Sequence, residues 1–281
     1  MRLAHVHGRE FDRIESFEDR DREFFSDLVA SYGLPVDEEG FDAGRTTYAA
    51  MVSALLPALA PYDDGFDLAL LAHATPDAAP GWPMSRLVRS TSRTGLAFAV
   101  SDQGVTSPFT ALRLARDGVA VEDGRRALVL VAEQSAVFHR GPVPEPLRAR
   151  RDAAVALVLD TSGELGTLVP EQRSGIAPGE VASLLAAYLA GATGRTGRPV
   201  VIAGAGLTGH RDGPPGGADL LTAPPGMPCA GIWSVLADEL PRLRREGRTV
   251  VLADYDARLG YLGLCRVDLA VQEGQAHDAS E

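Results

Sequence analysis

GLAFAVSDQGVTSPFTALRLARDG, residues 95–118, combines three local patterns in one short segment. Gly95 to Val100 is an apolar run of strand length, and Pro108 to Asp117 has the apolar spacing of an amphipathic helix. The polar residues between them predict a sharp turn, in which Thr106 or Ser107 caps the helix ahead of Pro108. A strand, a sharp turn and a helix N-terminus can together present a side chain and backbone N–H groups to a reacting carbonyl.

The same alternation of apolar runs and amphipathic segments continues on both sides of this unit, and it predicts an α/β fold. Arg126 to Glu133 and Ala153 to Asp160 are rich in Ala, Val and Leu, which is typical of strands covered on both faces. The Gly- and Pro-rich segment from Gly204 to Pro228 predicts only loop. The other predicted strands are Phe66 to Ala72, Glu164 to Val169, Pro199 to Ala203, Thr249 to Asp254 and Tyr261 to Leu269, and the other predicted helices are Thr46 to Leu59, Ser85 to Arg93, Pro178 to Ala190 and Ala230 to Arg245.

No linker separates these elements, so residues 46–270 are predicted to form one compact domain. Residues 1–45 are acidic and poorly patterned apart from one short helix near Phe24 to Tyr32, and we expect them to form an N-terminal extension. Residues 271–281 are expected to form a frayed acidic tail.

The composition excludes several classes of chemistry. All 27 residues counted as Lys or Arg are Arg, and the 281-residue chain also contains no Asn. A chain without Lys has no Schiff-base lysine, no anchor for pyridoxal phosphate and no P-loop lysine. The six His and two Cys show no metal-ligand spacing, so we expect neither a metal nor another cofactor.

Charge and hydropathy limit the partners and the compartment. The net charge of −11 argues against nucleic acid and against anionic membranes as partners. No window approaches the length of a membrane span, and the N-terminus lacks the apolar run of a signal peptide. We therefore expect a cytoplasmic protein.

Several segments occur in a recognisable order: DLALLAHATPD (67–77), the unit at 95–118, RRALVLVAEQ (125–134), RDAAVALVLD (151–160) and GRTVVLADYDARLGYLGLCRVDLA (247–270). This series resembles the thiolase superfamily, and within it ketoacyl-acyl-carrier-protein synthase III and related acyltransfer ketosynthases. The resemblance covers roughly residues 46–270. It implies a five-layered αβαβα sandwich, here shortened, with two similar halves at about 46–160 and 161–270.

The family's reaction uses a Cys nucleophile at the start of a buried helix, a His, and an Asn or second His. In this chain the nucleophile position falls in the turn Asp102-Gln103-Gly104, which has no Cys. The strand that normally ends in the first His reads PVVIAGAGL, which places Ala203 or Gly204 at that position. Since the chain has no Asn at all, the resemblance implies that the family's Claisen condensation is absent.

Four residues remain as candidates for other chemistry. Gln103 matches the Gln that chain-length factors and decarboxylating loading ketosynthases carry at the nucleophile position, or it is an ordinary polar turn residue. His73 and His210 are candidate bases, with a structural role and an exposed loop position as the alternatives. Cys229 opens a predicted helix, where a thiolate is favoured, or it is a buried filler.

Two arginine clusters suggest a docking surface. Arg148, Arg150 and Arg151 form one, and Arg244 and Arg245 with their neighbours Arg242 and Arg248 form the other. Either can bind an acidic carrier protein or a phosphopantetheine phosphate, or be a solvated face.

These observations predict a noncatalytic partner subunit that resembles a chain-length factor. By resemblance it forms a homodimer, or a heterodimer with a catalytic ketosynthase, and an acyl carrier protein is a further candidate partner. The alternatives are an acyltransferase or decarboxylase acting on acyl-carrier-protein or coenzyme A thioesters with a changed active site, and a plain carrier-binding module.

Overall fold

The structure is a computed structural model, and it describes residues 1–120, 125–192, 198–207 and 217–271. The strands are β1 (Arg2–Phe11), β2 (Phe66–His73), β3 (Thr94–Val100), β4 (Ala127–Glu133), β5 (Asp152–Asp160), β6 (Gly166–Arg173), β7 (Val200–Ala203), β8 (Asp219–Thr222), β9 (Thr249–Asp256) and β10 (Tyr261–Leu269). The α-helices are α1 (Asp19–Ser31), α2 (Glu38–Asp42), α3 (Tyr48–Leu59), α4 (Ser85–Ser90), α5 (Ser107–Val119), α6 (Val181–Gly191) and α7 (Gly231–Arg245).

The strand order shows that the chain consists of two similar halves. The sheet runs β3-β2-β4-β5-β1-β6-β10-β9-β7-β8, so each strand of the first half has a counterpart five strands later at the mirrored place. The directions agree as well: β2 is parallel to β3 and β4, and β7 is parallel to β8 and β9. The halves meet where β1 pairs with β6, at only two positions, Arg2 with Thr167 and Leu3 with Gly166.

Helices fill the space between the two halves. Helices α5 and α7 lie in the shared core, where the rings of Phe109 and Trp233 are 5.4 Å apart and both are fully buried. Gly263 on β10 has no side chain because the Phe109 ring lies 2.3 Å from where its Cβ would be. Helices α3 and α4 cover the outer face of the first half, and α6 covers that of the second. The result is five layers, as the resemblance implies.

The N-terminal segment differs from the expected extension. Strand β1 lies in the middle of the sheet, where it pairs antiparallel with β5, so residue 45 is not a structural boundary. The pattern concealed this strand because His5, His7 and Arg9 interrupt its apolar residues. Helix α1 begins at Asp19, earlier than the short helix predicted near Phe24 to Tyr32.

A buried ion pair fixes the rest of the N-terminal segment. Arg45 binds the Asp21 carboxylate, donates to the carbonyl of Ala78 at 2.6 Å, and lies over the Phe17 ring at 4.4 Å. Both charged side chains are less than 10% exposed. Removing one partner of such a pair leaves the other charge buried alone, which costs several kcal/mol, so the pair holds the segment in one place.

The segment from Gly204 to Pro228, predicted to be only loop, contains a short strand. β8 pairs parallel with β7 in the register Val200 with Asp219, and it forms one edge of the sheet. The Gly and Pro residues around it hid this strand, which has only four residues. His210 and the tail from residue 272 lie outside the described residues. Within the described ranges, no helix is long and apolar enough to cross a membrane.

Candidate functional site

Two residues in the turn between β3 and α5 have a left-handed backbone conformation. Asp102 has a φ of 63° and Gly104 a φ of 53°. The hydroxyl of Thr106 donates to the Gln103 carbonyl at 2.7 Å, and that of Ser107 donates to the Gly104 carbonyl at 3.1 Å. The expected N-cap role is therefore wrong: these hydroxyls tighten the turn as donors and accept no helix N–H.

A carboxyl group fills the space beside Gly104, one of the turn residues to which the resemblance assigns the nucleophile. A Cβ built on Gly104 would lie 1.8 Å from Oδ2 of Asp256, far inside van der Waals contact. Asp256 ends β9 and is buried, and its Oδ1 accepts the backbone N–H groups of Arg258 at 3.0 Å and Leu259 at 3.1 Å. Because the turn holds this carboxylate in place, position 104 accommodates only glycine.

A carboxyl group also fills the space beside Gly204, one of the two residues at which the resemblance places the family's first His. A Cβ on Gly204 would lie 1.9 Å from Oδ2 of Asp254. Asp254 is fully buried, and its Oδ1 accepts the N–H groups of Gly206 at 3.0 Å and Tyr255 at 2.8 Å. Ala203 packs in the outer core of the second half, so Gly204 is the position that faces the carboxyl group.

A third buried carboxyl group binds the start of α7. Glu133, at the end of β4, accepts the N–H groups of Cys229 at 3.0 Å and Ala230 at 3.1 Å. Free N–H groups at a helix N-terminus attract negative charge. Burial raises the pKa of Glu133 to about 8, and the nearby Asp254 carboxyl adds to this rise. Burial likewise raises the pKa of Asp254 to about 8, with a further contribution from Asp256.

Cys229 does not have the surroundings of a reactive thiol. It is fully buried, and the N–H groups at the start of its helix are already bound by the Glu133 carboxyl group. Burial, together with the Glu133 and Asp254 carboxyls, raises the pKa of the Cys229 thiol well above its ordinary value. The structure therefore favours the buried filler over the thiolate.

The side chain of Gln103 is engaged in a polar cluster. Its carbonyl oxygen accepts from Gln172 on β6 at 3.1 Å and from the hydroxyl of Thr110 on α5. Gln172 also donates to Thr106 at 3.1 Å, which links the turn to the second half of the protein. Gln103 therefore has the contacts of a structural turn residue.

His73 ends β2 and is partly buried. Its Nδ1 donates to the carbonyl of Thr75 at 2.7 Å, and its ring lies 5.4 Å from that of Tyr48. Burial lowers the pKa of His73, so the neutral imidazole is favoured. These contacts fit the structural alternative.

The structure separates the two arginine clusters. Arg148 and Arg150 line a cavity, whereas Arg151 pairs with Glu10 at 3.1 Å on the surface. Arg244 and Arg245 lie in the last turn of α7, and the start of this 15-residue helix binds Glu133. At 1.5 Å per residue the helix spans about 20 Å, so the clusters lie near opposite ends of α7.

Sequence reasoning missed the three carboxyl groups that define this site. Each stands at the end of an apolar strand, in LVLVAE (128–133) and VVLADYD (250–256), and that position is the available signal. Among the described residues, no group of three or more His, Cys, Asp or Glu is arranged to hold a metal ion.

Solved structures share this fold over nearly the whole chain. The acyltransferase ChlB3 matches with a TM-score of 0.63 at 17% identity, over 96% of this chain and 97% of that chain. The tetronic acid condensing enzyme AbyA1 matches with a TM-score of 0.63 at 17% identity, over 95% and 100%. A β-ketoacyl-[acyl carrier protein] synthase III from Thermus thermophilus matches with a TM-score of 0.55 at 15% identity, over 95% and 99%. No protein-family model and no curated protein matches the sequence.

These similarities confirm the predicted fold class, a thiolase-like αβαβα sandwich of two similar halves, like that of synthase III. At such low identities they show the fold alone. The chemistry has to be judged from the side chains of this chain.

Restoring a nucleophile at position 104 is expected to destabilise the protein. Gly104→Cys should lower the free energy of unfolding by at least about 3 kcal/mol, because the new side chain meets the Asp256 carboxylate as well as an unfavourable φ. The matched control is Gly33→Cys, which has a φ of 68° but no atom within 4 Å of its Cβ. Urea denaturation measures the free energy of unfolding of both variants. Combining Gly104→Cys with Asp256→Ala should remove the part of the loss by which Gly104→Cys exceeds Gly33→Cys. Equal losses in the two single variants would refute the filled site.

Stability should fall as pH rises. Burial raises the folded-state pKa values of Glu133 and Asp254 to about 8, from ordinary values of about 4 in the unfolded chain, so the folded state binds more protons between pH 4 and pH 8. The free energy of unfolding then decreases across this window by up to about 1.4 kcal/mol per pH unit for each group, and levels off above it. When denaturation is measured at several pH values, the free energy of unfolding should fall less steeply with pH in Asp254→Asn than in the wild type. In the variant Asp27→Asn, at an exposed position, it should fall as steeply as in the wild type. An unchanged slope in Asp254→Asn would contradict the assignment.

Proposed function

We propose that the chain is a noncatalytic subunit of ketosynthase III type, which pairs with a catalytic ketosynthase in a polyketide or fatty-acid-type pathway of specialised metabolism. The observation that carries the proposal is the filling of two reaction positions, by Asp256 at Gly104 and by Asp254 at Gly204. The names of ChlB3 and AbyA1, an acyltransferase and a condensing enzyme, support the metabolic setting.

The filled site opposes each step of a condensation. Acyl transfer needs an accessible nucleophile, and the thiol of Cys229 is fully buried beside Glu133. Decarboxylation of a malonyl thioester develops negative charge on an enolate oxygen, which donors must stabilise. The side chains that fill these positions here are Asp254 and Asp256, and one oxygen of each is already bound by backbone N–H groups. They do not supply the His and Asn donors that the resemblance assigns to the family.

An exposed sheet edge supports the pairing. Strand β3 ends the strand order, and its outer edge pairs with no strand in the described part of the chain. The strand is apolar, and Leu96 on it is 60% exposed. An open apolar edge readily adds a further strand from another chain, here a second thiolase-fold subunit.

The rival function is an acyltransferase or decarboxylase acting on carrier-bound or coenzyme A thioesters. It shares the fold support and needs a nucleophile or a base that the described residues do not offer. The cavity that Arg148 and Arg150 line is the feature most compatible with an anionic thioester carrier.

Thioester assays test the absence of catalysis. After incubation with acetyl-CoA or malonyl-CoA, intact mass spectrometry should show an unmodified chain, and no CO2 should be released, whereas a catalytic synthase III in the same assay becomes acylated. An adduct that disappears in Cys229→Ala, or steady CO2 release, would support the rival function instead.

The pairing is tested at the sheet edge. Leu96→Lys should prevent association, because it places a charge on β3 at the expected contact. Leu220→Lys on β8 is the matched control, since Leu220 is 44% exposed at the opposite edge. Light scattering after size exclusion is measured for the chain alone and after co-expression with each of a set of catalytic ketosynthases of synthase III type. A chain that stays monomeric with every one of them would overturn the proposal.

A further inference from the structure

Two adjoining cavities lie between the N-terminal segment and the loop that joins β4 to β5. One has a volume of about 500 Å³ and includes Arg13 and Asp37 from the N-terminal segment. The other has a volume of about 300 Å³ and reaches the end of β2 at Ala74. They share five wall residues, Val137, His139, Val143, Arg148 and Ala149, so they adjoin along this wall.

The walls of the two cavities are joined by backbone contacts. The N–H of Asp37 donates to the carbonyl of Phe138 at 2.7 Å, and Val36 forms a β-bridge with His139. Phe138 also packs against Phe17 in the aromatic cluster beneath the segment. The two sides are therefore held together as a defined site.

The larger cavity is positively charged. Four guanidinium groups line it, those of Arg13, Arg140, Arg148 and Arg150. Two nearby carboxylates compensate part of this charge: Asp37 pairs with Arg140 at 3.3 Å, and Glu145 pairs with both Arg148 and Arg150.

Arg13 is bound by a neutral group. Its guanidinium donates to the hydroxyl of Ser135 at 2.6 Å and to the Ser135 carbonyl at 3.0 Å. The Ser135 hydroxyl in turn donates to the buried carboxyl of Asp152. Four arginines therefore face three carboxyl groups, those of Asp37, Glu145 and Asp152, and the cavity keeps an excess of positive charge that an anion can neutralise.

The smaller cavity is mainly apolar. The apolar wall residues are Ala74, Pro76, Ala136, Val137, Phe138, Pro142, Val143, Pro144, Leu147 and Ala149. Its volume is at the lower end of the range for small-molecule sites, which suits an unbranched chain of moderate length.

We infer that the adjoining cavities bind one amphipathic anion, with a carboxylate or phosphate head among the four arginines and an unbranched apolar chain in the smaller cavity. The inference rests on the proposed noncatalytic function, because the ligand is held without a covalent bond. The head takes charge-assisted hydrogen bonds from guanidinium groups, and the chain is removed from water by the apolar wall.

Calorimetry on the purified full chain tests this with four probes: decanoate, decyl phosphate, decanol and decanoyl-CoA. Decanoate or decyl phosphate should bind at least tenfold more tightly than decanol, and whichever of the two binds more tightly identifies the head group. Equal binding of decanol would overturn the inference, since the arginines would then contribute nothing. Binding of decanoyl-CoA without binding of either simple anion would also overturn it, in favour of a thioester site.

Matched variants locate the ligand. Arg13→Gln combined with Arg148→Gln should weaken decanoate or decyl phosphate binding about tenfold or more, which corresponds to about 1.4 kcal/mol. Arg151→Gln is the control, because Arg151 does not line the cavity, and it should change the affinity less than twofold. Val137→Trp should abolish binding, because the larger side chain at the shared wall would occupy the cavity space. Thermal unfolding checks that this variant folds.

Equal weakening by Arg151→Gln would place the ligand elsewhere. Because no partner protein is present in these experiments, their failure leaves the proposed pairing intact. If instead the pairing experiments fail, a measured affinity for the anion still stands.

Discussion

The packing of α5 against α7 is the interaction on which the rest of this molecule depends. Each helix comes from a different half, and their contact through Phe109 and Trp233 buries the inner faces of both halves at once. Direct strand pairing between the halves amounts to two positions of β1 and β6, so the helix layer must supply most of the cohesion. It also brings the turn before α5 close to the end of β9, which is how residues 104 and 256 meet.

At that meeting point buried carboxyl groups fill the space beside two glycines, Gly104 and Gly204. Burying a carboxyl group is expensive in its ionised form, and Glu133 and Asp254 respond by retaining their protons up to about pH 8. Backbone N–H groups bind one oxygen of Asp254 and one of Asp256, and glycine makes room for the other. These carboxyl groups are thus part of the packing of the central core.

The sequence predicted what depends on local pattern. The strand, turn and helix at residues 95–118 lie where expected, since their apolar spacing is unbroken. β1 was missed because His5, His7 and Arg9 disrupt the alternation, and β8 because four residues among Gly and Pro carry little signal. The absence of Cys from the turn at residues 102–104 is visible in the sequence, but the contact of Asp256 with Gly104 is not, because the two lie 152 positions apart in the chain and only the folded core brings them together.

The contact between Gly104 and Asp256 also has a consequence for the history of such a protein. While the carboxylate is present, a mutation that returns a cysteine to position 104 is selected against for stability before it can be tested for activity. A mutation that first removes the carboxylate leaves the N–H groups of Arg258 and Leu259 without their acceptor and confers no activity by itself. Each single change is penalised, so the two residues constrain each other and are expected to change only together.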